Sequence, residues 1–244
     1  MPFFRPAPQD GDGEPVDGAR LLAELARRWR DAPTLEYRSE AFIRHKGEFE
    51  LTVRIHTRLR RPNLGRIDFR SETWAEASRV RVASGGTLYD RQRGAGGRTL
   101  RSGYRDRLTE NIPHPLDEAG YSVDQFFSPR PFIPPPSWGR GESAALRITG
   151  HRAASAPAPF KGPAYRVTIE KGTSRDELWL DAISFAPLLL TRRGEHAGAV
   201  QELLRETFHE FGLGTLRVTP DLFRWTEADE RGIAADDEGR WQRR

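Results

Sequence analysis

The sequence predicts a mainly β fold of the α+β class, built on a long antiparallel sheet with one apolar face. Three observations carry this. Phe49 to Arg60 alternates strictly, with Phe49, Leu51, Val53, Ile55 and Leu59 on one side and Glu50, Thr52, Arg54, His56, Arg58 and Arg60 on the other. That period of two marks a strand with one buried and one wet face. Short segments of similar character recur on both sides of it, separated by turn residues. One amphipathic stretch, Ala19 to Asp31, precedes them, with Leu21, Leu22, Leu25, Ala26 and Trp29 at helical spacing.

The elements follow in order. Asp17 suits the helix N-cap, and Pro33 stops the helix. A strand over 35–46 carries Tyr37, Ala41 and Ile43 on one side, and Lys46-Gly47-Glu48 turns it into the 49–60 strand. Arg61-Pro62-Asn63 breaks that strand, and 64–71 resumes with Ile67 and Phe69. Val80 and Val82 lie in a strand over 79–83. Turns at Ser84-Gly85-Gly86 and Gly94–Gly97 lead to strands over 87–90 and 98–104. Further strands are expected over 144–153, 164–171, 176–181, 187–193 and 199–210. The last also fits helical spacing through Val200, Leu203, Leu204 and Phe208. Between the two sets, Phe126, Phe127, Phe132, Ile133 and Trp138 crowd a proline-rich stretch, which reads as a loop pinned over the sheet by its aromatics or as a polyproline ligand.

The composition narrows the function classes. Among 244 residues there is no cysteine, so disulfides, thiol catalysis and thiolate metal sites are excluded. The formal net charge is +4, and the cations are nearly all arginine, with Lys46, Lys161 and Lys171 the only lysines. Acidic residues are interspersed among them, so no basic stripe for nucleic acid stands out. The six histidines, His45, His56, His114, His151, His196 and His209, form no zinc-ligand spacing. The glycine-rich turns lack the Lys-Ser/Thr of a phosphate loop, and no Gly-x-Ser-x-Gly elbow occurs. The expectation is a chain that is not an enzyme and needs no cofactor and no metal. No signal peptide is visible at the start.

The order of motifs resembles the LolA/LolB-like superfamily of periplasmic lipoprotein carriers, including the outer-membrane lipoprotein-sorting proteins. Arg60-Arg61-Pro62-Asn63 matches that family's basic-Pro-Asn step, and Arg66 the arginine of its next strand. Val82-Ala83-Ser84-Gly85-Gly86-Thr87-Leu88-Tyr89-Asp90 resembles its strand-turn-strand, although Gly85 replaces the usual Asp or Asn. Glu177-Leu178-Trp179-Leu180-Asp181, Pro187, Phe208-His209-Glu210-Phe211 and Pro220-Asp221-Leu222-Phe223 resemble its later strands and closing aromatic hook.

The resemblance implies an incomplete antiparallel β-barrel of about eleven strands, with helices covering the concave face. It divides the chain into a flexible leader over 1–18, a half-barrel domain over 19–228 and a charged tail over 229–244. The concave groove would be lined by Tyr37, Ile43, Leu51, Val53, Ile55, Ile67, Phe69, Val80 and Val82. Arg54, Arg58 and Arg66 would stand at the rim to meet head groups, though each equally suits plain solvation. Leu22, Leu25, Trp29, Phe126 and Phe127 would form the lid. The implied partner is a lipid or lipoprotein acyl chain in the periplasm or cell envelope, compatible with peripheral membrane contact and with an envelope protein partner. The same apolar residues would also serve a filled core. An interaction module with a packed, ligand-free core is therefore the alternative.

Overall fold

A computed structural model describes residues 13–45, 49–60, 64–73, 78–84, 87–92, 99–103, 147–196, 198–217, 219–226 and 229. The turns expected at 46–48, 61–63, 85–86 and 94–97 lie outside these residues, as does the proline-rich stretch with Phe126 and Phe127.

One sheet of twelve strands dominates. In chain order they are β1 (Glu14–Val16), β2 (Thr34–His45), β3 (Phe49–Arg60), β4 (Leu64–Ser71), β5 (Arg79–Ser84) and β6 (Thr87–Gln92). Next come β7 (Thr99–Gly103), β8 (Arg147–Ala153), β9 (Ala164–Lys171), β10 (Ser174–Asp181), β11 (Pro187–His196) and β12 (Ala199–Leu213). The spatial order is β1-β8-β9-β10-β11-β12-β2-β3-β4-β5-β6-β7. All pairings are antiparallel. The sheet is open, with β1 and β7 as its edges. The eleven strands expected from the sequence are all present. The twelfth, β1, comes from the segment expected to be a leader and pairs with β8.

The helix α1 (Gly18–Asp31) starts where Asp17 accepts a hydrogen bond from the Arg20 amide at 3.0 Å. The helix lies against β8 and β9. Leu22 and Leu25 are buried there and join a core that includes Val167, Ile169, Leu178, Leu180, Leu190 and Phe208. The face of the sheet that carries α1 is called the inner face below. The start of the helix comes close to β8, where Gly18 meets Gly150. Side chains at either position would strike backbone.

Strand β12 explains the helical spacing in its sequence. It has register shifts at Leu203 and at His209, where one residue of β12 has no partner opposite. Each bulge moves the next residues to the other side. Leu204 and Phe208 therefore share the inner face with Phe211 and Leu213 despite the odd spacing.

Candidate ligand-binding face

Cross-strand partners in an antiparallel pair point to the same face. From that rule, Tyr37, Ile43, Leu51, Val53, Ile55, Ile67 and Phe69 all share the inner face. Ile43 is opposite Leu51, Ala41 opposite Val53, and Ile55 opposite Phe69. Tyr37 and Ile67 are both opposite Thr57. Ala41, Leu51 and Val53 form a second buried cluster, and Ile43, Ile55, Phe69 and Leu204 pack against it while staying half-buried. The helix is on another part of the sheet, over β8 and β9.

Val80 and Val82 do not belong to this set. Val80 is opposite Asp68 and Val82 opposite Arg66, which puts both on the outer face. The inner face of β5 carries Arg81 and Ala83 instead. The alternation separates two sets of residues in a strand but does not say which set turns inward, and a shift of one residue exchanges them. On the outer face the two valines are buried all the same. A short 3-10 turn, Pro220–Phe223, packs on β4 and β5, and Trp225 stacks on Tyr89 with ring centroids 5.2 Å apart.

The three arginines expected at the rim also sit on the outer face, in ion pairs. Arg54 pairs with Glu72 and lies 3.9 Å from Glu40. Arg58 pairs with Asp68. Arg66 holds Asp68 at 2.9 Å and Asp229 at 2.7 Å. These charges are met by carboxylates of the same chain: Arg54 and Glu72 stay more exposed, while Arg58, Arg66 and Asp68 form a largely buried polar network tied to Asp229. His56 joins it through Glu36 at 2.8 Å. Burial, then the neighbouring Arg58, holds the His56 imidazole below its ordinary pKa. Of the expected lid, Leu22 and Leu25 are buried on the inner face and Trp29 belongs to α1.

One inner-face residue was not singled out by the sequence reading. Glu206 is opposite Ala41 on one side and Leu190 on the other, and lies two residues from both Leu204 and Phe208. Ser39 donates a hydrogen bond to Glu206 Oε1 at 2.6 Å. Burial pushes the Glu206 carboxyl up to about 7 against the opposing effect of that bond. Another inner-face ion pair, Arg192 with Asp176, is joined by two hydrogen bonds of 2.9 and 2.8 Å. A signal was present in the sequence: alternation through Leu204, Glu206 and Phe208 places a carboxylate where an apolar residue is due.

This arrangement defines a half-barrel with a largely apolar inner face into which Glu206 is set beside apolar neighbours. Among the described residues no cluster could hold a metal ion, and no helix is long and apolar enough to cross a membrane. No protein-family model matches the chain, and no curated protein matches it. Among solved structures the chain is similar to MucB, at 17% identity and a TM-score of 0.42, covering 86% of this chain and 63% of MucB. The chain thus spans less than two thirds of MucB, which has also been solved in complex with MucA(peri). It is similar to LprF from Mycobacterium bovis, at 11% identity and a TM-score of 0.38, covering 85% and 98% of the two chains. A putative outer membrane lipoprotein-sorting protein domain from Vibrio parahaemolyticus is similar at 8% identity and a TM-score of 0.31, covering 84% and 95%. These are loose likenesses of fold.

Proposed function

We propose that this chain is a non-catalytic binding module of the cell envelope that shelters an acyl chain, lipid or lipoprotein anchor on the inner face of its half-barrel. The observation that supports this most is the second apolar cluster. Ile43, Ile55, Phe69 and Leu204 remain half-buried around buried Ala41, Leu51 and Val53. An acyl chain laid along them would gain about 25 cal/mol for each Å² of apolar surface removed from water. The motif resemblance in the sequence points the same way. The outer-face arginines take no part, because carboxylates of the same chain already meet them.

The test is native mass spectrometry of the purified protein, followed by lipid extraction. The expected result is a co-purified lipid or uptake of added lipid, lost in Ile55→Glu and Phe69→Ser variants whose circular dichroism is unchanged. Val53 is a poor site for this test because it is fully buried. A clean apo mass with no uptake from added lipids would overturn the proposal in favour of an interaction module with a packed core.

A further inference from the structure

Glu206 is an anomaly on the inner face. A carboxyl among apolar side chains is costly unless it is paired or hydrogen-bonded. Among the described residues its one hydrogen-bond partner is Ser39, and no cation meets it. It stays half-buried, so the group is reachable. Its position is also distinctive. Leu204, two residues away on the same strand, packs against both apolar clusters of the inner face. Glu206 therefore stands where the helix-covered core gives way to the half-buried patch of Ile43, Ile55 and Phe69.

Resting on the acyl-binding reading, we propose that Glu206 and Ser39 are the polar anchor of this face, and that Glu206 Oε2 donates a hydrogen bond to the ester carbonyl of a glyceride. The hydrogen bond from Ser39 makes Oε1 the acceptor oxygen, which leaves Oε2 to carry the proton. A carboxyl held near 7 keeps that proton at neutral pH, where an ordinary glutamate has lost it. A neutral ester carbonyl is an acceptor that tolerates an apolar site. A second carboxylate would be repelled once Glu206 ionises. The other charged or titratable groups on the neighbouring inner-face positions are Arg192 and Asp176, bound to each other, and Tyr37, which packs against Phe208 at 5.7 Å.

The experiment measures binding of monooleoylglycerol, and in parallel of a diacylglycerylcysteine peptide, one pH unit below and one above the Glu206 value of about 7. The first ligand represents a free lipid and the second a lipoprotein anchor, and both carry the same ester. Wild-type affinity for at least one should fall about tenfold between the two pH values, because binding requires the protonated form. Glu206→Gln keeps a donor at all pH values, so its affinity should stay level. Glu206→Leu should bind weakly and equally at both. If the wild type binds without that pH dependence, or Glu206→Gln retains it, the anchor role is overturned while acyl binding stands. If neither ligand binds to any form at either pH, the acyl-binding reading fails and the anchor with it.

Discussion

Arg66 and Asp229 are joined by two hydrogen bonds, of 2.7 and 3.2 Å, that tie the C-terminal segment to the outer face of β4. Asp229 also accepts from the Thr226 amide at 3.0 Å and from its hydroxyl at 2.8 Å. It is nearly fully buried, and removing it leaves the Arg66 guanidinium with Asp68 as its remaining carboxylate among the described residues. Asp229→Ala should cost about 1.5–3 kcal/mol through the lost charged hydrogen bonds. A chemical denaturation curve would show this loss, and limited proteolysis would show cleavage after Thr219 in the variant alone. Equal stability and equal resistance would mean that the segment is held by Phe223 and Trp225 without the ion pair.

The approach of α1 to β8 makes a second prediction. A Cβ at Gly150 would come within 2.8 Å of the Gly18 backbone and of the Val16 carbonyl oxygen. Neither can rotate away as a side chain would. Gly150→Ala should therefore lower stability by about 1–3 kcal/mol through overpacking. Thermal unfolding followed by circular dichroism checks it. An unchanged midpoint would show that the helix start can shift freely.

Glu206 predicts a pH dependence of stability. Its carboxyl value rises from 4.5 to about 7 on folding, so the folded state binds the proton more tightly. Its contribution is most favourable below about 4.5 and declines as pH rises to about 7, beyond which it stays level. Glu206→Gln should match the wild type at acid pH and exceed it by about 1–3 kcal/mol above neutrality. Denaturant midpoints across that range measure the difference. A constant difference would show that the carboxyl is not raised.

His56 predicts the opposite slope. Its imidazole value lies below 6.5 in the folded chain, because burial and Arg58 disfavour the cation, with Arg38 adding to this and Asp68 opposing it. The stability it contributes is complete above about 6.5 and is lost as pH falls toward the folded value. The hydrogen bond that Glu36 accepts from the ring favours the imidazolium, so Glu36→Gln should lower the His56 value further. A proton NMR titration of the ring reads this directly. An unchanged value would show that Glu36 does not act on the ring, and a rise would reverse the sign of its effect.

Element positions were legible in the sequence because they are local. Alternation marked β3, turn residues separated the meander, and Asp17 and Pro33 bracketed α1 within a residue of its observed start and at its observed end. The inner-face set of Tyr37, Ile43, Leu51, Val53, Ile55, Ile67 and Phe69 was legible for the same reason. Each hairpin keeps the alternation in phase across β2, β3 and β4.

The sequence by itself determined that the chain forms a long antiparallel sheet with an amphipathic helix, because periods of 2 and 3.6 are properties of neighbouring residues. Only the tertiary structure decided which way β5 faces. Val82 turns outward because its register partner is Arg66, and its burial there accompanies a segment from the far end of the chain. The same holds for the arginines, whose carboxylate partners lie on other strands or, for Asp229, beyond the last one. It holds too for Glu206, whose raised value comes from apolar strands on both sides. Register and burial are relations between residues distant in sequence, and no local period encodes them.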